Sequence, residues 1–113
     1  SDEVCRVLTN KEAIAINQDA MGKQGFRFFK DSKREVWMRS LSDGAWAVAV
    51  LNASGESREV SFRWHHAERH LIGEYAVRDV YAMKDLGNTK DMPTVSRVLD
   101  SHDVMFFRLT PLK

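Results

Sequence analysis

The run L-S-D-G-A-W-A-V-A-V-L-N at residues 41–52 decides how the rest of the chain is read. An Asp-Gly pair, Asp43-Gly44, opens it, and from there nearly every position is apolar. Side chains along a strand alternate between two faces. Trp46, Val48 and Val50 therefore point one way, and Ala45, Ala47, Ala49 and Leu51 the other. An apolar set on both faces means that neither sees much water. The expectation is a central strand with its main core on the Trp46 side and a tighter contact behind the alanines. Asn52-Ala53-Ser54-Gly55 closes the run with turn chemistry.

Outward from this strand the alternation continues. Trp37, Arg39 and Leu41 share a face opposite Val36 and Met38, and Phe26 and Phe28 alternate with Arg27 ahead of a polar turn at residues 30–34. Downstream, Val60, Phe62 and Trp64 point inward while Glu59, Ser61 and Arg63 point out, the pattern of a half-buried strand. Residues 65–71 break the pattern and read as one helical turn or a loop. Residues 75–81 resume as a strand with Tyr75, Val77 and Tyr81 on one side, and residues 84–88 read as a turn. Shorter strands follow at 94–99 and 104–109, separated by Ser101-His102-Asp103 and ended by Thr110-Pro111. About seven to eight strands at intervals of roughly 8–12 residues predict an all-β, antiparallel β-sandwich of Greek-key type.

The front of the chain follows another period. In residues 2–18, Val4, Val7 and Leu8 recur at helical spacing, and Thr9-Asn10-Lys11-Glu12 fits a capping box launching Ala13 to Ile16. Two glycines in residues 21–25 then read as a loop. The chain is thus expected to divide into a helical and linker segment, 1–25, and a sandwich, 26–113. A sandwich closes its core with its own sheets, so the apolar face of Val4, Leu8, Ile14 and Ile16 is expected to meet a preceding domain. The single-domain alternative lays it across one sheet or one end of the sandwich.

The totals narrow the partners. A chain of 113 residues can bury one core. Seventeen basic against sixteen acidic residues give no support for nucleic acid or an anionic membrane surface as a partner. No apolar run approaches a membrane span, and no signal-peptide pattern opens the chain. Cys5 is the only cysteine, so an internal disulfide is excluded, and its place beside Val4 and Leu8 suits a buried small hydrophobe.

Several constellations invite a chemical reading. Two carboxylates about 5–5.5 Å apart can act together as nucleophile and general acid. Asp79 with Asp85, or Asp100 with Asp103, could be paired for that role on spacing alone. Turn signals around Asp43, Asp85 and Asp103 favour a local backbone role instead, and Asp79 beside Arg78 favours an ion pair. His66 and His70 stand four apart with His65 and Glu68 nearby, but nothing at recognisable spacing completes a metal shell. No metal or cofactor is expected. Among the tryptophans, Trp46 and Trp64 read as inward, whereas Trp37 shares its face with Arg39 and is the best candidate for an exposed platform that stacks on a sugar ring. Phe26, Phe28, Phe106 and Phe107 read as core.

Four blocks, in order, carry a resemblance. L-T-N-K-E-A-I-A-I-N-Q-D-A-M-G-K-Q-G (residues 8–25) resembles the barrel-to-sandwich junction of the family 27 glycoside hydrolases, the α-galactosidases or melibiases. V-W-M-R-S-L-S-D-G-A-W-A-V-A-V-L-N (36–52) is similar to the first hairpin of their C-terminal domain. V-R-D-V-Y-A-M-K-D-L-G (77–87) and V-M-F-F-R-L-T-P (104–111) resemble a later element and the closing strand. Ala20 stands where the family often has Pro, Tyr81 where Trp is common, and residues 65–73 match no block.

The resemblance implies an N-terminal (β/α)8 barrel followed by this sandwich, with residues 2–18 as the barrel's last helix and Val4, Leu8, Ile14 and Ile16 as its interface. Both catalytic aspartates belong to barrel strands, and the K-Y-D context of the nucleophile does not occur in this chain. The implied role is that of a non-catalytic domain stabilising a barrel that hydrolyses terminal α-D-galactosides with retention. The alternative is a module holding galactose-containing polysaccharide through Trp37 and Arg39. A secreted, periplasmic or lysosomal parent is a further implication of the resemblance; the residues themselves specify no compartment.

Overall fold

The computed structural model describes residues 25–41 and 44–112. Its strands are β1 (Phe26–Lys30), β2 (Arg34–Ser40), β3 (Trp46–Asn52), β4 (Arg58–Arg63), β5 (Tyr75–Asp79), β6 (Lys84–Asn88), β7 (Thr94–Leu99) and β8 (Val104–Pro111). Six of them form one antiparallel sheet in the order β1-β2-β3-β8-β5-β6, and β4 pairs with β7 in a second. The chain crosses between the sheets four times, from β3 to β4, β4 to β5, β6 to β7 and β7 to β8. The fold is the expected antiparallel β-sandwich.

The alternation explains which strand is central. β3 lies between β2 and β8, with Val48 opposite Met38 on one side and Phe107 on the other. Val48 and Val50 are fully buried between the sheets with Val36, Met38, Phe62, Val77, Met105 and Phe107. Burying side chains of this size is worth about 1.5–3 kcal/mol each, so this layer dominates the fold's stability. Two strands cannot cover six. The deficit on the β1 side is made up by the 3-10 turn Trp64–Ala67 and the residues after it. His70 lies over that end of the large sheet, with ring centroids 5.1 Å from Phe26, 5.9 Å from Phe28 and 5.7 Å from Trp46.

Three local expectations need correction. Residues 84–88, read as a turn, form edge strand β6, which pairs with β5 through a register shift after Val77. Their charged, glycine-containing sequence suits an exposed edge, where unpaired backbone is tolerated and apolar alternation is not required. β5 stops at Asp79 rather than 81, because Asp79 Oδ1 accepts the Ala82 N–H at 3.0 Å and turns the chain through Met83, whose φ is 54°. Finally, β8 runs on to Pro111, which stands opposite Tyr75 at the strand's end, where a missing N–H is tolerated.

Two polar devices tie the sheets. Asn52, fully buried at the end of β3, donates from Nδ2 to the carbonyls of Glu56 (2.9 Å), Leu99 (2.9 Å) and Asp100 (3.2 Å). Its Oδ1 accepts from the backbone N–H of Ser54 at 3.0 Å. Asp79, 1% exposed on the inner face of β5, meets Arg97 reaching over from β7, with Nη2 to Oδ2 at 2.6 Å. On the approach to β3, Gly44 holds a φ of +76°, a backbone conformation costly for any L side chain.

The helical segment 2–18, the linker loop up to residue 24, and Val4, Cys5, Leu8, Ile14, Ile16 and Asp43 lie outside the described residues.

Candidate functional site

The outer face of the large sheet follows from the same alternation that buries the inner one. Directly paired residues on neighbouring strands project to the same side. Arg27, Trp37, Ala49 and Phe106 therefore stand in one row across β1, β2, β3 and β8. The next row is Arg39, Ala47, Arg108 and Arg78 across β2, β3, β8 and β5. Leu41, Ala45, Ala47 and Val80 form a small buried cluster at one end of this face, with Phe106 packed against it. The expected tight contact behind the alanines is present only there; Ala49 and Leu51 are half-buried.

Trp37 and Arg39, the two proposed sugar-contacting residues, do come together. They line a depression of about 150 Å³ whose other walls are Gly25, Met38, Ala47, Ala49 and Phe106. Trp37 is 43% exposed, against 4% for Trp64, and its Nε1–H is engaged by Glu35 Oε1 at 2.8 Å. Small alanines make the floor, so the Trp37 and Phe106 rings stand as its sides. Tyr81 extends the aromatic row, its ring 5.6 Å from that of Phe106. Phe106, read as core, belongs to this outer face, while Phe107 is fully buried within. The signal for that split was available: β8 alternates Met105, Phe107, Leu109 inward against Phe106, Arg108, Thr110 outward.

The face is predominantly basic, although Glu35 lies on it and pairs with Arg27 at 3.8 Å. Arg78 and Arg108 are direct cross-strand neighbours, a like-charge pairing that costs stability unless carboxylates intervene. Asp85 serves Arg78 at 3.1 Å. Among the described residues neither Arg39 nor Arg108 has an ion-pair partner.

The remaining sequence candidates disperse. Asp79 and Asp85 sit on opposite faces of the sheet, since Asp85 pairs with outward Arg78 while Asp79 points inward to Arg97. Asp103 Oδ1 is occupied by the Val104 N–H at 2.9 Å, and its backbone N–H donates to the Asp100 carbonyl in a tight turn. The histidines do not converge. His65 Nδ1 pairs with Glu68 at 3.3 Å, His66 stacks edgewise on Phe62, and His70 lies over Phe26. Among the described residues no group of three or more His, Cys, Asp or Glu is placed to hold a metal ion. A larger depression, about 460 Å³, opens beside residues 65–73, with His65, Glu68, Ile72, Tyr75 and Lys90 among its walls. Trp64 gives it no indole donor, because its Nε1–H turns inward to the Met92 carbonyl at 2.9 Å.

Residues 31–109 match the family described as the alpha galactosidase C-terminal beta sandwich domain. An "Alpha-galactosidase A" of Cellvibrio japonicus is 28% identical over 120 residues, covering 98% of this chain and 29% of that protein. Among solved structures, alpha-galactosidase I from Mortierella vinacea superposes with a TM-score of 0.78 at 22% identity, over 94% of this chain and 28% of the other. A GH27 b-L-arabinopyranosidase from Geobacillus stearothermophilus superposes with a TM-score of 0.77 at 22% identity, over 96% and 24%. The chain thus spans less than a third of the length of the curated relatives it matches.

Proposed function

Because the chain belongs to the α-galactosidase C-terminal β-sandwich domain family, we propose that it is the non-catalytic domain of a larger glycoside hydrolase, packing on and stabilising a catalytic barrel that precedes it. The observation that carries this reading is the extent of the match: a whole sandwich is accounted for by under a third of each relative's length. The same sandwich also occurs in an alpha-galactosidase and in a b-L-arabinopyranosidase, which fits a supporting domain better than a part that selects substrate. In the parent, residues 1–25 are the end of the barrel and the linker, and Val4, Leu8, Ile14 and Ile16 face the barrel. The parent's reaction is hydrolysis of terminal α-D-galactosides with retention, by a nucleophile and an acid/base held about 5–5.5 Å apart in that upstream domain. This chain alone, assayed with a chromogenic α-galactoside, should show no turnover above buffer. Saturable turnover by the chain alone would overturn the reading.

The exposed Trp37 beside Arg39 supports a second reading, a module that holds galactose-containing carbohydrate. Its geometry is less favourable. Ligand sites are typically about 300–1,000 Å³ with several convergent polar groups, whereas this depression is about 150 Å³ and lined chiefly by apolar side chains. Titration with galactosides and galactomannan separates the two: saturable binding that is lost in Trp37→Ala favours the module.

A further inference from the structure

We propose that the outer face of the six-stranded sheet is the surface on which the preceding domain docks, with Trp37, Ala49 and Phe106 meeting aliphatic side chains and Arg39 and Arg108 meeting carboxylates. This rests on the reading of the chain as the C-terminal part of a longer enzyme, and names the face and the chemistry of its partner.

Three observations converge on it. The first is where the polypeptide arrives. Gly25, the first described residue, is itself a wall of the depression, and a Cβ there would stand 3.2 Å from Arg39 Nε and 3.4 Å from the Met38 carbonyl oxygen. Everything N-terminal to the sandwich therefore connects at the lip of this face, where a domain on a short linker is held at high effective concentration.

The second is the composition of the face. Trp37, Ala49 and Phe106 make a continuous apolar row in the middle of a sheet, with the arginine row on one side and Glu35, Leu51 and Val104 on the other. An interface core is enriched in aromatic residues and arginine and floored by small side chains that let the partner approach. The outer face of the small sheet is unlike it: Glu59, Ser61 and Arg63 on β4 and Ser96 on β7 are exposed there, with Val98 alone as an apolar contribution.

The third is charge. Four arginines, at 27, 39, 78 and 108, lie in these two rows, and among the described residues Arg39 and Arg108 have no carboxylate. Arg108 stands between Ala47 and Arg78 and is half-buried, so the two arginines are direct cross-strand neighbours. A partner with acidic side chains opposite this row relieves the repulsion within it, and a neutral partner does not.

The test compares Trp37 in the 113-residue chain and in the full polypeptide that continues upstream of Ser1, by hydroxyl-radical footprinting read residue by residue. In the chain alone, Trp37 should be modified about tenfold faster than Trp64, from exposures of 43% and 4%. In the full polypeptide its rate should fall to that of Trp64. Ala49→Glu, which places a carboxylate on the floor, should leave the melting of the chain alone within a few degrees yet restore Trp37 reactivity in the full polypeptide. Ser96→Glu, on the opposite side of the sandwich, should do neither. If the full polypeptide contains an upstream barrel and Trp37 stays as reactive as in the chain alone, the docking face is wrong while the domain reading stands. If no such domain is encoded upstream, both fall. Saturable protection of Trp37 by galactose or galactomannan, with no protection by the upstream domain, would also overturn the proposal in favour of the sugar-binding reading.

Discussion

Replacing Asn52 with alanine should destabilise this fold heavily, although what is lost is hydrogen bonding rather than apolar contact. The side chain is fully buried and joins the end of β3 and the loop that follows it to the end of β7 and the turn into β8, 47 and 48 residues away. Asn52→Ala strips a donor from the buried Leu99 carbonyl. A buried acceptor left unsatisfied costs about 1–3 kcal/mol. The bonds to Glu56, Asp100, Ser54 N and Ser54 Oγ are part-buried, so water can replace some of them, and each is worth roughly 0.5 kcal/mol net. The expected total is about 3–5 kcal/mol, a large share of the roughly 5–15 kcal/mol by which such domains are stable. Urea denaturation at pH 7 reads it directly: with a slope of about 1.5 kcal/mol/M, the midpoint should fall by about 2–3 M at unchanged slope. Asn52→Asp makes the argument sharper. It keeps the shape and the acceptor but turns the donor into a second acceptor facing three carbonyls, so it should be at least as damaging as alanine. A loss under about 1 kcal/mol for Asn52→Ala, or an Asn52→Asp as stable as the parent, would refute the account of this knot.

Other outcomes follow from the same structure. Arg97→Ala should destabilise by about 3 kcal/mol, because it abandons a carboxylate that is 1% exposed, whereas Asp79→Asn leaves an arginine that is 44% exposed and should cost less; urea midpoints of the two give the order. Asp31 accepts the backbone N–H groups of Arg34 and Lys33, both at 2.8 Å, and these bonds, Arg34's first, hold its pKa below the ordinary 3.8. A depressed carboxyl stabilises the fold fully above its unfolded value and loses that contribution as pH falls through the lower folded value. The stability difference between parent and Asp31→Asn should therefore be constant from pH 7 to about 5 and close below about pH 4, measured by urea melts across that range. Gly44→Ala should cost about 1–2 kcal/mol from its φ of +76°, while Gly55→Ala, with open space around the Cβ position, should be neutral within about 0.5 kcal/mol in the same assay.

Much of this protein is determined locally. The period-two pattern of Val36, Met38, Val48, Val50, Val60 and Phe62 assigned their faces, because a one-residue slip would turn every one of them into water. It marked Trp37 as the exposed tryptophan for the same reason, and the quoted blocks placed the chain in its family. Edge strand β6 escaped notice because an edge needs backbone partners on one side only, so its side chains carry no pattern. What only the tertiary structure decided are relations between strands distant in sequence. Asn52 looked like turn chemistry and is a buried hub; Asp79 looked like a neighbour of Arg78 and is held by Arg97 from the other sheet. Phe106 and Arg108 joined Trp37 and Arg39 because β8 inserts beside β3 rather than following β7 in its own sheet. Alternation fixes which side of a strand a residue takes, but the order of strands is set by the whole core closing at once, and that order is what brings a surface together.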